Sequence, residues 1–300
     1  MKNSVIGHIS AIAANLFFGL NTPVAKGLLP WMTPMGFTLS RILFAAVFFW
    51  GTCLVIPRER VSNRDLITIA AGGLSGFVGA QFFMMISLQY TTPVHYAMIT
   101  ALNPAIVMLL ASIVLGESIT RIKVAGVALG ISGASLLIMR SYIGVYDPSN
   151  LLGIFFAFLA GLSYSLYIII THNVSQKYSP VTVMRWLFLF TAIILLPFGG
   201  SELFEQPIFI SKPTIQAIGL LAYIFIFSTA IGYLLMPVAL KHLRATTVSI
   251  YMNLQPVVTA IVAIAVRQDT FTWEKPVAAI LVIAGAFIVT SSYARKQHSD

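Results

Sequence analysis

Amide, hydroxyl and phenol side chains lie in the middle of long apolar stretches of this sequence. Inside a membrane such groups need partners, and they are candidates for contact with a polar solute. Hydrogen bonds between helices would satisfy the amides equally well, and simple packing would account for any single tyrosine. The residues predicted to line a solute pathway are Asn15, Asn21, Gln81, Thr100, Asn103, Tyr164, Tyr167, Tyr233, Tyr251, Asn253 and Gln255.

Two of these amides directly precede a proline near the centre of an apolar stretch, in Asn103-Pro104 and Gln255-Pro256. A proline inside a helix removes one backbone hydrogen bond and crowds the carbonyl four residues earlier. One interpretation is a static kink, in which neighbouring helices supply hydrogen bonds to the backbone groups that the proline leaves without partners. Because the two prolines take equivalent places, we predict that Pro104 and Pro256 are paired helix hinges beside a binding site.

Apart from residues at the ends of the predicted membrane spans, Arg41 and Arg185 are the only full charges inside them. Their long side chains could extend to the membrane surface, which would make them ordinary interfacial residues. The alternative is that each forms a gate, or a charge that attracts a carboxylate, at one mouth of the pathway. The predicted topology places Arg41 toward the periplasm and Arg185 toward the cytoplasm.

The sequence lacks the residue patterns of an enzyme. No Asp or Glu lies deep in an apolar stretch, so there is no buried carboxylate for a proton relay or for cationic drugs. Metal-ligand spacings, phosphate-binding glycine loops and Ser-His-acid arrangements are also missing. The net charge of +9 forms no basic stripe that could follow nucleic acid. We therefore predict no enzyme activity, metal, cofactor or nucleic-acid partner.

The elements that position these residues follow from an extremely apolar composition. The chain is 58% hydrophobic and 9% charged, with a mean hydropathy of +0.90, which excludes a soluble globular fold. About 20 apolar residues suffice to cross a bilayer core. The predicted fold is therefore an all-α integral membrane protein with ten transmembrane helices. The predicted spans are 5–25, 34–56, 66–89, 94–115, 122–140, 150–172, 180–199, 214–240, 245–266 and 275–294.

An internal duplication relates the two halves of the chain. Residues 93–133 and 245–285 follow one plan without gaps at a constant spacing of 152 residues, so that Asn103 matches Gln255. Such duplication is the usual construction of a secondary transporter.

Two further pairs extend the duplication toward the start of each half. Gln81 matches Tyr233 at the same spacing, and Arg41 matches Arg185 at a spacing of 144 residues. Five spans per repeat is an odd number, so the second repeat must be inverted relative to the first. The predicted repeats are residues 1–143 and 144–300.

The distribution of Lys and Arg in the loops predicts the orientation. One set of alternate loops and termini carries eleven of these residues, and the other set carries five. Because positive loops stay on the cytoplasmic side, both termini should be cytoplasmic and the chain a multi-pass protein of the cell inner membrane. The lipid bilayer is then its environment; the protein could be monomeric, and a dimer is also compatible with the sequence.

At this point the residues resemble a known family. Gly116-Glu117 after a proline-centred helix, followed by Gly126-x-x-x-Gly130-x-x-Gly133, is similar to the EamA repeat of the drug/metabolite transporter superfamily. The resemblance covers nearly the whole chain as two tandem repeats. It implies a ten-helix inner-membrane carrier for small metabolites, often an exporter.

The second copy departs from the pattern of the family. Gln268-Asp269 replaces Gly-Glu, and Ala278 and Val282 stand where the first copy has glycines. The departure concerns the role of the hairpin glycines in the second half and leaves the implied fold intact.

The predicted function is secondary transport of a small, neutral or zwitterionic, partly apolar metabolite by alternating access, with amino acids as the substrate class and export as the direction. Two rivals stay open. A passive channel or facilitator would show non-saturating flux without counterflow, and a non-transporting membrane scaffold or receptor would move no solute.

Overall fold

The computed structural model describes residues 2–52, 59–143, 148–252, 254–273, 276–281, 284, 285 and 288. Helices are the only regular secondary structure in this part of the chain. Eight helical stretches among the described residues are long and apolar enough to cross a membrane. Of the two other predicted spans, 122–140 lies on a helix, and 275–294 is described only in part.

The helices are numbered in chain order, and two π-helical segments, Leu74–Gly79 and Ile224–Gly232, continue α3 and α11 without a break. The bounds are Lys2–Leu28 (α1), Pro34–Gly51 (α2), Asn63–Gly73 (α3), Ala80–Tyr90 (α4), Pro93–Thr100 (α5), Asn103–Leu115 (α6), Arg121–Ile143 (α7), Pro148–Lys177 (α8), Pro180–Phe204 (α9), Pro207–Ile210 (α10), Ile215–Tyr223 (α11), Tyr233–His242 (α12), Ala245–Tyr251 (α13) and Leu254–Ala265 (α14).

Hydroxyl caps determine where the two arginine-bearing helices, α2 and α9, begin. Thr33 Oγ1 accepts a hydrogen bond from the N–H of Gly36 at 3.1 Å, and Ser179 Oγ accepts one from the N–H of Thr182 at 3.3 Å. These oxygens replace partners that the first turn of a helix lacks. A proline follows each cap, where its missing N–H costs nothing.

The two spans that carry Pro104 and Pro256 are broken near their centres. Helix α5 gives way to α6, and α13 to α14, just before Pro104 and Pro256. At the first break the carbonyl of Leu102 accepts from the amides three and four residues later, and at the second the carbonyl of Met252 accepts from the N–H of Gln255 at 3.0 Å. These tighter bonds replace the regular ladder that a proline cannot complete.

The π-helical segments occupy matching places in the third and eighth predicted spans. Each ends just before a predicted pathway residue, Gln81 in one case and Tyr233 in the other. In the second segment Thr229 Oγ1 donates to the carbonyl of Ile224 at 2.6 Å. Because π-helical turns re-aim side chains and are frequent at functional sites, the two segments direct attention to the residues that follow them.

Helices α2 and α9 pack against each other in antiparallel orientation. The rings of Trp50, near the end of α2, and Trp186, near the start of α9, lie 5.5 Å apart. At the other end Met35 lies against Gly199, where a Cβ would come within 2.6 Å of Met35 Cγ. Residue numbers therefore rise along one helix as they fall along the other.

Glycines bring several helices into close contact, as their spacing predicts. A Cβ on Gly76 would lie 2.6 Å from the ring of Tyr167, so α8 packs directly on the backbone of the first π-helical segment. A Cβ on Gly285 would lie 2.4 Å from the carbonyl oxygen of Gly126. The two halves thus meet through backbone as well as through side chains.

Candidate functional site

A cavity lies where α1, α4, α5, α6, α8, α12 and α14 meet, and we call it the central pocket. It contains about 430 Å³ of space not filled by protein atoms, including its open side. Amide and phenol groups share its walls with apolar side chains, which is the usual lining of a small-molecule site. Because Asn103 and Gln255 both line it, the pocket lies beside both helix breaks.

The structure brings most of the predicted pathway residues to this pocket and leaves others outside it. Asn15, Tyr167 and Tyr251 do not line the pocket, and Asn253 lies outside the described residues. The predicted residues that line it are Asn21, Gln81, Thr100, Asn103, Tyr164, Tyr233 and Gln255.

Arg41 is buried directly behind one wall of the pocket. Its Nε donates to Thr229 Oγ1 at 2.9 Å, and its Nη2 donates to Ser228 Oγ at 3.1 Å. Its Nη1 donates both to Asn21 Oδ1 at 3.1 Å and to Gln81 Oε1 at 2.6 Å. The side chain is only 2% exposed, so it does not extend to the membrane surface, which was the simpler of the two sequence interpretations.

The charge of Arg41 is buried without an ion pair to a carboxylate among the residues that the structure describes. The rings of Phe37 and Tyr233 lie 5.3 and 5.6 Å from its Cζ and add favourable cation–π contacts. Burying a cation is costly, and neutral hydrogen bonds offset only part of the cost. An anionic group in the neighbouring pocket would stabilise this charge further.

A single hydrogen bond joins the equivalent residues Gln81 and Tyr233. Gln81 Nε2 donates to Tyr233 Oη at 2.5 Å. The two residues are 152 positions apart, which is the spacing of the duplication. Residues that match in sequence therefore meet in space at the pocket wall.

Asn15 contributes to the pocket indirectly, through Gln255. Its Nδ2 donates to the carbonyl of Ala11 at 2.7 Å, and its Oδ1 accepts from Gln255 Nε2 at 2.6 Å. Asn15 is fully buried. It is thus a residue that positions Gln255 and does not itself reach the pocket.

Asn103 also lines the pocket, and its side-chain amide has an incomplete set of hydrogen-bond partners. Its Oδ1 is buried and accepts no hydrogen bond from any described residue. It rests against Gly161, where a Cβ would lie 2.2 Å from that oxygen. The hydroxyl of Tyr164, another pocket residue, is likewise buried without a partner among the described residues. Each of these two atoms needs a partner that the described residues do not supply.

The remaining predicted tyrosines have structural surroundings. Tyr167 is fully buried and packs edge-on against Phe77, with ring centroids 5.7 Å apart. The hydroxyl of Tyr251 lies 2.7 Å from His8 Nδ1, at the contact of α13 with α1. The positions of Tyr167 and Tyr251 agree with the alternative stated above, in which a tyrosine inside a span only packs against its neighbours.

Arg185 lies away from the central pocket. Its Cζ is 5.3 Å from the ring of Trp50 and 5.9 Å from that of Trp186, and the residue is 3% exposed. Along α2, Trp50 is roughly 13 Å beyond Arg41 at 1.5 Å per residue. The two arginines therefore occupy different depths and different surroundings.

Several pocket residues escaped sequence reasoning. Phe18, Met84 and Tyr96 line the pocket as ordinary apolar or aromatic members of their spans, and nothing in their types distinguished them. Ser228 and Thr229, which hold Arg41, are different. They are adjacent hydroxyl residues in the middle of a predicted span, and this polarity was a usable indication.

A second cavity of about 630 Å³ lies among α1, α11 and α14. Its polar groups include Thr214, Gln216 and Gln268, and Gln268 donates from Nε2 to the carbonyl of Pro23 at 2.9 Å. It is larger than the central pocket, but none of the predicted pathway residues lines it.

Polar contacts join the first turn of α3 and the loop before it to the end of α8 and the turn between α8 and α9. Asp65 accepts hydrogen bonds from Lys177 Nζ at 2.5 Å and from Tyr178 Oη at 2.6 Å. Glu59 accepts from the N–H of Ser179 at 2.9 Å. Partial burial by itself raises the pKa of Glu59, but hydrogen bonds from Thr182 and Ser179 outweigh this effect, so the pKa is lower than usual.

The sequence matches the EamA-like transporter family over residues 5–139 and 151–291, which confirms the resemblance. A protein named "Uncharacterized transporter" from Archaeoglobus fulgidus is 27% identical, over 87% of this chain and 86% of its own. A "Probable amino-acid metabolite efflux pump" from Salmonella typhimurium is 26% identical, over 93% and 92%. A solved structure described only as "Crystal structure of protein" superposes with a TM-score of 0.71 at 17% identity, covering 98% of each chain, and shows the same fold.

Proposed function

Because this chain belongs to the EamA-like transporter family, we propose that it carries a small neutral or zwitterionic metabolite of the amino-acid class out of the cell by alternating access. That it is a multi-pass membrane transporter follows from the family and the eight candidate spans. The substrate, the direction and the mechanism are the proposed part.

The observation that carries the proposal is the composition of the central pocket. It joins polar groups from the two halves of the chain, including Asn103 and Gln255 beside the broken helices. A site near mid-membrane between two repeats, formed by interrupted helices, is the usual arrangement in secondary transporters. The pocket also contains the apolar rings of Phe18 and Tyr96, which suit a partly apolar solute.

Three features support an inverted pair of repeats, residues 1–143 and 144–300. The matching helices α2 and α9 pack antiparallel, the π-helical segments fall at matching places, and the matching residues Gln81 and Tyr233 touch. Helices related by a two-fold axis in the membrane plane run in opposite directions where they meet at that axis. The loop charges then favour cytoplasmic termini in the inner membrane.

The amino-acid class is supported by chemistry and by a relative. The pocket supplies hydrogen-bonding amides and phenols, with a buried arginine behind one wall and no buried carboxylate among its described lining residues. The similar Salmonella protein is named as an amino-acid metabolite efflux pump. A zwitterion with an apolar side chain matches both the polar and the apolar parts of the lining.

Counterflow in liposomes tests the proposal. Purified protein would be reconstituted with an unlabelled amino acid inside, and entry of the labelled amino acid would be followed over a panel of neutral amino acids. Saturable counterflow for at least one of them supports the carrier. Non-saturating flux without counterflow would identify a channel, and the absence of binding and flux for the whole panel would point to a scaffold or receptor.

A further inference from the structure

The hydrogen-bond donors and acceptors of the central pocket are oriented by buried residues behind its walls. One chain of hydrogen bonds, or relay, runs from Arg41 to Asn21, Gln81 and Tyr233, and a second runs from the carbonyl of Ala11 through Asn15 to Gln255. We propose that these two relays give the pocket a donor end and an acceptor end, so that it binds an amino acid in one orientation. The carboxylate lies against Asn21, Gln81 and Tyr233, and the ammonium against Gln255 and Asn103. This proposal rests on the proposed function.

The donor end is set by Arg41. A guanidinium has N–H donors and no acceptor, so Gln81 and Asn21 must turn their amide oxygens toward it, as observed at 2.6 and 3.1 Å. Their NH₂ groups consequently face away from Arg41. Gln81 Nε2 donates to Tyr233 Oη, which leaves the phenolic proton to be donated onward.

Asn21 keeps donor capacity for a ligand. Its Nδ2 is directed at Met84 Sδ at 3.4 Å, and a thioether is a weak acceptor. Asn21, Gln81 and Tyr233 all line the pocket, and the positive charge of Arg41 lies behind them. Donors backed by a buried cation favour a carboxylate at this end.

The acceptor end is set by a main-chain carbonyl. The oxygen of Ala11 can only accept, so Asn15 must present Nδ2 to it and Oδ1 to Gln255. Gln255 therefore uses Nε2 for this bond, and its Oε1 is turned away from Asn15 as an acceptor. Asn103 also lines the pocket and adds an Oδ1 without a donor among the described residues.

The two glutamine amides are oriented in opposite ways because different groups lie behind them, Arg41 behind Gln81 and the carbonyl of Ala11, through Asn15, behind Gln255. A donor-only group at one relay and an acceptor-only group at the other leave each glutamine amide a single orientation. Asn21 belongs to the relay of Arg41 and Asn15 to that of the Ala11 carbonyl, and the two residues are about 9 Å apart along α1 at 1.5 Å per residue. An amino acid places its two charged groups well within that span, and its side chain remains free for the apolar wall.

The test compares three ligands with one isobutyl side chain: L-leucine, L-leucine methyl ester, which lacks the carboxylate, and 4-methylpentanoate, which lacks the ammonium. Binding to purified full-length protein would be measured calorimetrically at about pH 6, where the amine of the ester is protonated. Wild-type protein that binds leucine more tightly than both truncated ligands supports the proposal. Equal binding of all three would overturn it.

Two substitutions assign the ends. Gln81→Glu still accepts from Arg41, which preserves the buried bond, but it removes the Nε2 donor and repels a carboxylate. We expect this variant to bind leucine and 4-methylpentanoate about tenfold or more weakly, the usual effect of losing a hydrogen bond to a charged group. Its affinity for the methyl ester should be unchanged. Gln255→Leu should weaken leucine and the ester while sparing 4-methylpentanoate.

Gln176 on α8 provides matched controls, because it lies outside the pocket and bonds only locally to His172. Gln176→Glu and Gln176→Leu should leave the affinity for each ligand unchanged. If both pocket variants lose affinity equally for all three ligands, or show the reverse pattern of losses, the proposed orientation is overturned. Saturable leucine counterflow by the wild type would still support the proposed carrier function in that case. A wild type that binds and moves no amino acid would overturn both proposals.

Discussion

Arg41 and Arg185 occupy matching positions of the two halves and have different surroundings. Arg41 is held by hydroxyl and amide oxygens from α1, α4 and the second π-helical segment, beside the central pocket. Arg185 lies against the rings of Trp50 and Trp186, away from the pocket. Both are almost completely buried. Both halves therefore have an arginine at this position, whereas the neighbouring helices give each copy different surroundings.

The difference shows how a symmetric framework can hold an asymmetric site. The partners of Arg41 turn two amides into donors that face the pocket, and α2 and α9 pack antiparallel so that the two arginines point to different levels of the protein. An aromatic pair instead stabilises a cation by ring contacts. We therefore expect the first half to dominate ligand recognition, and four measurements test this expectation.

The largest effect is expected for Arg41→Gln. Glutamine cannot donate to the four oxygens that Arg41 satisfies, and each buried acceptor left unpaired costs about 1–3 kcal/mol. Amino-acid counterflow should fall to background, and the thermal unfolding midpoint in detergent should fall as well.

Arg185→Gln is the matched control for that variant, measured by the same two assays. It should retain measurable counterflow, because Arg185 does not border the pocket. Loss of transport in Arg185→Gln with transport intact in Arg41→Gln would reverse the comparison between the halves.

A smaller effect is expected from conservative substitution at the same two positions. Lysine keeps the charge but has no planar fork, so Arg41→Lys should reduce the initial counterflow rate by about tenfold. A lysine can still lie over tryptophan rings, where the contact contributes about 0.5–1 kcal/mol or more. Arg185→Lys should thus transport at nearly the wild-type rate, and equal losses in both variants would remove the proposed asymmetry.

The two helix breaks, in contrast, should contribute similarly. Pro104→Ala and Pro256→Ala restore an N–H that lets each helix continue, so each should slow counterflow several-fold if the breaks act as hinges. Pro197→Ala within α9 is the control, because this proline lies inside a helix but outside the pocket. If the Pro104 and Pro256 variants both transport at the wild-type rate, the hinges are excluded.

The smallest effect is expected at Glu59, which joins the loop before α3 to the start of α9. Its folded-state pKa is lowered by hydrogen bonds from Thr182 and Ser179 that outweigh the opposing effect of burial. Its contribution to stability is therefore complete above the ordinary pKa of 4.5 and is lost as the pH falls through the lowered folded-state value.

Thermal unfolding of wild type and Glu59→Gln at several pH values checks this prediction. The wild type should unfold at a slightly higher temperature near neutral pH, and the difference should vanish in acid. A difference that grows as the pH falls would contradict the assigned sign.

Sequence reasoning identified half of the residues that line the pocket but not their organisation. Asn103 and Gln255 were found because each precedes a proline at the centre of an apolar stretch, a strong local indication. Phe18 and Tyr96 could not be found, because an apolar or aromatic residue inside a span is compatible with any neighbour. Tyr251 was included for its type alone, and the structure pairs it with His8 on α1 instead.

The membrane fold, the family and the duplication could be read from the amino-acid order alone, because they depend on composition, spacing and local turn chemistry that a linear pattern records. The contacts of Arg41 with Asn21 and Gln81, and that of Asn15 with Gln255, became known from the packing of the helices. Amides can donate or accept with equal ease, so their direction depends on which anchor lies next to them. Such anchors come from helices distant in the chain, and no local pattern specifies them.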